Sequence, residues 1–244
     1  MKCTFPLALT FLTILPWPGL PPAQDSELAR SLFWFPWVGA LLGLLYWGLM
    51  IGLARLFPPA IAAVFLLTLT VILTRGLHLD GLADTADGLA GGKTPEERRR
   101  IMKDSRLGAF GAMSLILVLL LKYALFLGLA QKGSTAGLLL SPIVSRWGLV
   151  FLAYLSPYAR PEGGLGQAMT SGASLRLLLG GTAGATGLAV AAAGVKALAV
   201  MGAAAVITWL LSRFFLHKLE GITGDVLGAT NELLEVLALT GMLL

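Results

Sequence analysis

The stretch "HLDGLADTADG", residues 78–88, gathers Asp80, Asp84 and Asp87 in a chain that has only 13 acidic residues among 244. On an α-helix Asp84 lies about 40° to one side of Asp80 and Asp87 about 20° to the other. The three carboxylates therefore share one narrow face, spread over about 10 Å of rise. Aligned like charges three and four residues apart destabilise a helix, so this face calls for positive charge nearby. Hard oxygen ligands suit Mg²⁺ or Mn²⁺, and a pair of such ions about 4 Å apart commonly drives phosphoryl transfer. The competing reading is a solvated acidic turn paired with neighbouring arginines. His78, a general base by type, projects about 160° from Asp80, beside Leu82 and Leu89, and reads as a packing or supporting residue.

Further polar residues stand where an apolar chain has few. In "IMKDSRLGAFG" Asp104 is a candidate additional metal ligand, and Arg106 a candidate to hold a phosphate in bidentate fashion. Just before it, Pro95 with Glu96 and Glu97 reads as a helix start, and Arg98–Arg100 as a basic membrane flank. "GITGDVLGATNELLE" brings Thr223 and Asp225 to the start of an apolar segment. Within that segment Asp225, Gly228, Glu232 and Glu235 fall on one stripe about 80° wide. Ionisable groups at membrane depth are expensive and point to function by default; here Lys122 and Arg146 are candidate ion-pair partners, so a structural role is equally open. "SPYARPEGGLGQAMTSG" contributes Arg160 and Glu162 as candidate substrate contacts, while its glycines are a weak signal for a phosphate cradle.

The elements that position these residues are membrane helices. Hydrophobic residues make up 57% of the chain and charged residues 13%, against about 25% charged in soluble domains. Mean hydropathy is +0.83. The expected fold is an all-α, polytopic transmembrane bundle forming one membrane domain over 1–244. Seven spans are expected, near 35–54, 61–77, 108–130, 136–156, 177–194, 197–216 and 226–244. The Gly- and Ala-rich fifth span suits close helix approach. The N-terminal "MKCTFPLALTFLTILPWPGLPPAQ" has some features of a signal peptide. Its prolines and its short apolar run favour an uncleaved interfacial or re-entrant segment. The formal charge of +5 is explained by basic residues flanking spans, so no nucleic-acid partner is implied. The lone Cys3 excludes an internal disulfide.

Pairing the spans leaves short connections near 55–59, 131–135 and 195–196 on one side. Longer polar connections, 78–107, 157–176 and 213–225, lie on the other. That second side carries Arg30, Lys93, Arg98, Arg99, Arg100, Lys103, Arg106, Arg160, Arg176, Arg213 and Lys218. The excess of positive charge makes it cytoplasmic. The carboxylate face should thus meet the other polar loops at the cytoplasmic mouth of the bundle.

Six stretches, "FLTILPWPG", "HLDGLADTADG", "IMKDSRLGAFG", "SRWG", "YARPEGGLG" and "GITGDVLGA", together resemble the cobalamin synthase family, the adenosylcobinamide-GDP ribazoletransferases. They occur in that family's order across nearly the whole chain, and "HLDGLADTADG" followed by "KDSRLG" is the most specific part. The resemblance implies a Mg²⁺-dependent, multi-pass inner-membrane enzyme surrounded by lipid. Its partners would be adenosylcobinamide-GDP and α-ribazole or its 5′-phosphate; whether it is a homo-oligomer is open. A ribose hydroxyl would attack the phosphorus on the cobinamide side and GMP would leave. Asp80, Asp84 and Asp87 are then expected to carry the ions, with Asp104 or Asp225 completing the site as metal ligand or catalytic carboxylate. Arg106 and Arg160 would steady phosphate oxygens, with Glu162 and Thr223 as further substrate contacts. Two alternatives stand beside this reading. A CDP-alcohol phosphotransferase shares the opening "DGxxA" at Asp80–Ala83, but needs Arg where this chain has Asp84 and a later "GxxxDxxxD" that is absent. A divalent-cation transporter would use Asp225, Glu232 and Glu235 as a path, although the acids concentrate at one mouth and no internal repeat appears.

Overall fold

The computed structural model describes residues 4–133, 135–160 and 162–244; Cys3 lies outside the described residues. The described chain folds into helices α1 (Phe5–Leu12), α2 (Asp25–Ser31), α3 (Phe35–Leu56), α4 (Pro59–Thr74), α5 (Leu77–Gly91) and α6 (Pro95–Ile101). They are followed by α7 (Ala109–Lys132), α8 (Ala136–Leu155), α9 (Leu165–Gly172), α10 (Leu175–Ala193), α11 (Lys196–Leu219) and α12 (Gly224–Leu243). Six segments are long and apolar enough to cross a membrane, and the pair α4–α5 makes a seventh if its bent halves are taken as one span. The fold is all-α, and the crossing helices fall where hydropathy placed them, within a few residues. α1, at eight residues, rises about 12 Å and is too short to cross.

The carboxylate stretch is helical, but not in line with the second span: the chain breaks at Arg75 (φ 54°) and Gly76 (φ 65°), both left-handed, and α5 leaves α4 at 87°. A basic residue followed by glycine after an apolar run is an ordinary helix stop, and the same signal reappears at Lys132–Gly133. α5 thus lies nearly perpendicular to α4 and runs across the mouth of the bundle.

α8 and α12 form the centre. About 78% and 61% of their spans are buried, against 22–33% for α3, α7, α10 and α11. The outer helices turn large apolar side chains outward, such as Leu117, Leu120 and Leu121 on α7 and Leu179 on α10, as lipid contact requires. Close packing relies on small residues: Gly43 of α3 lies against the Leu139 backbone of α8, where a Cβ would come within 2.6 Å of the carbonyl oxygen.

The polar connections do meet on one face. Arg99 donates to Leu219 O at 2.7 Å and Arg98 to Lys218 O at 3.0 Å, so two residues of the basic run cap the C-terminus of α11. Ala159 N–H donates to Ile222 O, and Ile222 N–H to Pro157 O, both at 2.9 Å. This tie joins the α8–α9 connection to the turn before α12. α1 is secured to the end of α4 by Ile14 N–H to Leu73 O and by the Arg75 guanidinium to Thr10 O.

Candidate active site

The site is built on the crossing of α5 and α12. Gly81 lies against the backbone of Asp225, where a Cβ would stand 2.7 Å from the carbonyl oxygen and 2.9 Å from Cα; Gly228 fits against His78 and Gly81 in the same way. Two glycines thus bring the backbones together and set the acidic stretch of α5 beside the first turn of α12.

Asp225 is held by that turn and by the loop after α8. Arg160 donates to its Oδ2 at 2.5 Å and Thr223 Oγ1 donates to the same oxygen at 3.2 Å. Thr223 in turn accepts from Val226 N–H as the cap of α12. Three of the residues singled out by type and motif therefore form one contact group.

Asp80 and Asp84 contrast with it. Among the described residues, neither carboxylate has a hydrogen bond or salt bridge. Partial burial raises Asp84 from the ordinary carboxylate range to about 6, helped by the negative charges of Asp80, Asp225 and Asp87 and opposed by Arg160. Two carboxylates without a partner, with the charge of Asp84 disfavoured by its surroundings, fit a divalent cation. Among the described residues no three carboxylate, imidazole or thiolate groups converge as a closed ligand shell. Mg²⁺ commonly takes only one or two protein carboxylates and completes its shell with water and substrate phosphate.

The remaining expected residues have other partners. Both oxygens of Asp87 accept backbone N–H groups, from Gly108 and Gly111 at 2.8 Å each. The expected metal ligand thus caps the N-terminus of α7, where its charge also meets the positive end of the helix. Asp104 and Arg106 hold each other, with a closest approach of 2.6 Å, on an exposed loop. Arg106 keeps Asp104 well below the usual carboxylate range, at about 2. Glu162 pairs with Lys103 across the same mouth. His78 is buried, and although the helical wheel turns it from Asp80, both line one cavity of ≈ 160 Å³ that also reaches Asp225. Sequence reasoning missed this cavity, because its walls come from five other helices as well as α5.

Deeper in the bundle, Lys122 donates to Glu232 at 2.5 Å and to Glu235 at 2.7 Å, and Arg146 donates to Glu235. All four side chains are buried. Two cations against two anions neutralise one another, so the stripe of α12 divides: Asp225 belongs to the mouth, while Glu232 and Glu235 lock α12 to α7 and α8.

The chain as a whole matches a known family. The sequence model of cobalamin-5-phosphate synthase matches residues 4–243. The chain belongs to this family. Over 241 residues it is 44% identical to the adenosylcobinamide-GDP ribazoletransferase of Syntrophobacter fumaroxidans, covering 97% of this chain and 96% of that one. The protein of the same description from Pseudomonas putida is 41% identical, with 98% of each chain covered. The one from Roseiflexus sp. is 38% identical, covering 97% of this chain and 88% of its own. No solved structure matches.

Proposed function

We propose that the chain transfers the adenosylcobinamide phosphate group of adenosylcobinamide-GDP to a ribose hydroxyl of α-ribazole or its 5′-phosphate, releasing GMP. The observation that carries this reading is the meeting of unpartnered Asp80 and Asp84 with the Arg160–Asp225–Thr223 group at one mouth of the bundle. Family membership supplies the substrates, since the relatives named above are ribazoletransferases. The protein sits in the bacterial inner membrane with this mouth toward the cytoplasm, in keeping with its basic flanks.

In this reading Asp80 and Asp84 hold Mg²⁺, which when bound neutralises the diphosphate charge of the donor. Arg160, anchored on Asp225, faces the phosphate that is transferred. Arg106 exchanges Asp104 for the phosphate of the departing GMP. Asp225 accepts the proton of the attacking ribose hydroxyl through its oxygen not bonded to Arg160. As the new P–O bond forms on the cobinamide side, the diphosphate P–O bond breaks and its electrons leave with GMP. Thr223 fixes the rotamer of Asp225, and Glu162 keeps Lys103 at the edge of the mouth.

A cation transporter is disfavoured by the pairing of Glu232 and Glu235 with Lys122 and Arg146, which leaves no row of unpaired acids through the bundle among the described residues. The test is GMP release by purified protein from adenosylcobinamide-GDP, with and without α-ribazole and Mg²⁺. Release should require both. Release indifferent to α-ribazole refutes the transferase, and full activity of Asp80→Asn and Asp84→Asn refutes the metal assignment.

A further inference from the structure

The cavity beside Asp80 has a character that metal and phosphate chemistry does not explain. Phe11, Phe35, Leu149 and Met169 form much of its wall, and Asp80 and Asp225 stand at its polar end. Phe35, Leu149 and Met169 are each at most 3% exposed, and the rings of Phe11 and Phe35 stack at 6.0 Å with 18° between planes. The glycines at 81, 166, 224 and 228 also line it, which keeps the walls flat and close. Its volume is ≈ 160 Å³. An apolar cavity of about 150 Å³ holds a single aromatic group, whereas a corrin ring or a whole nucleotide needs several times more.

One residue of this wall carries a buried polar atom that lacks a partner. His78 is 4% exposed, lines the cavity, and its Nε2 has no hydrogen bond. A buried imidazole nitrogen without a partner loses roughly 1–3 kcal/mol relative to a satisfied one. A ligand with one ring nitrogen in an otherwise apolar frame would restore that bond. Phosphate would not suit apolar walls, and lipid chains lack the nitrogen.

We infer that this cavity seats the benzimidazole ring of the acceptor nucleoside. The ring lies against Phe11, Phe35, Leu149 and Met169, and its free nitrogen accepts a hydrogen bond from His78 Nε2. The attached ribose then emerges at Asp80 and Asp225, where its hydroxyl is needed. Acceptor selection is thereby separated from the donor, which engages the outer, cationic part of the mouth. This assignment of substrate parts rests on the transferase reading; the preference of the cavity for a small heteroaromatic ring does not.

The test uses the full chain, purified in detergent. Leu149→Trp fills the cavity and should raise the KM for α-ribazole by about tenfold or more, with the KM for adenosylcobinamide-GDP within about twofold of wild type. Met169→Ala enlarges it and should raise the preference for a naphthimidazole riboside over α-ribazole by about tenfold. To keep the test independent of how either variant folds, free 5,6-dimethylbenzimidazole is also measured on the wild-type chain. It should inhibit competitively against α-ribazole and not against the corrinoid. Inhibition competitive with the corrinoid, or a Leu149→Trp effect confined to the corrinoid KM, overturns the assignment. If the wild-type chain releases no GMP, the transferase reading fails separately. Equilibrium dialysis of labelled 5,6-dimethylbenzimidazole then decides the cavity: saturable binding lost in Leu149→Trp supports it, and no saturable binding refutes it.

Discussion

Gly81→Ala should leave the bundle folded and disable the chemistry. The new Cβ would stand 2.7 Å from Asp225 O and 2.9 Å from its Cα, whereas ordinary contact begins at 3.4 Å, so α5 and α12 must part by about 0.7 Å. Both sides of the contact are backbone, and no rotamer change relieves it. Overpacking costs about 1–3 kcal/mol, but replacing an interior helical glycine by alanine returns about 1 kcal/mol. The net loss of stability is therefore at most about 2 kcal/mol. At roughly 2–4 °C per kcal/mol for a chain of this size, the melting temperature falls by less than about 8 °C. Activity responds more steeply, because a misplacement of about 1 Å between reacting groups costs about a hundredfold. A ten- to hundredfold fall in kcat for GMP release is expected. Gly48→Ala, whose Cβ meets nothing within 4 Å, is the matched control and should keep wild-type kcat. If Gly81→Ala also turns over within twofold of wild type, the α5–α12 crossing does not set the catalytic geometry.

Three further outcomes follow from the same contacts. Lys122→Met strands two buried carboxylates with one cation and should cost about 3–5 kcal/mol, seen as a fall of roughly 6–20 °C in melting temperature in detergent. Adding Glu232→Gln should recover most of it, and equal losses in single and double variants would contradict the pairing. Asp87→Ala removes the cap of α7 and should cost about 1 kcal/mol by denaturant unfolding, an effect absent if Asp87 serves a metal alone. The raised Asp84 predicts pH-dependent metal stabilisation: without Mg²⁺ its contribution is full below about pH 4 and is lost as pH rises through about 6. Mg²⁺ favours the ionised form, so its stabilising shift in thermal unfolding should be larger at about pH 7.5 than at about pH 5. Asp84→Asn should abolish that difference, and a shift equal at both pH values would oppose metal binding there.

Much of the architecture could be read along the chain because lipid acts on local composition. A run such as Ala109–Lys132 has mean hydropathy 2.3 over its best window and crosses wherever its neighbours lie. The convergence of polar connections followed from alternation of spans and from the distribution of Lys and Arg. Residue types and motif order brought Asp80, Asp84, Arg160, Thr223 and Asp225 forward as candidates, and the helical wheel placed the acids on one face. These readings need only composition, spacing and order along the chain, and no contact between distant residues.

Partner choice needs such contact. Asp80, Asp84 and Asp87 are alike in type and spacing, yet Asp87 meets Gly108 and Gly111 because α7 begins beneath it. The 87° turn after Arg75 and Gly76 takes α5 out of line with α4 and toward α12. Arg98 and Arg99 look like any basic membrane flank until the end of α11 arrives beside them. Asp225 and Glu235 share a stripe of α12, but one meets Arg160 at the mouth and the other Lys122 and Arg146 in the interior. The sequence determined which helices cross and which chemistry they carry. Tertiary structure alone decided which carboxylates are already paired and which are left without a partner, since hydrogen bonds and ion pairs depend on contacts between residues far apart in the chain.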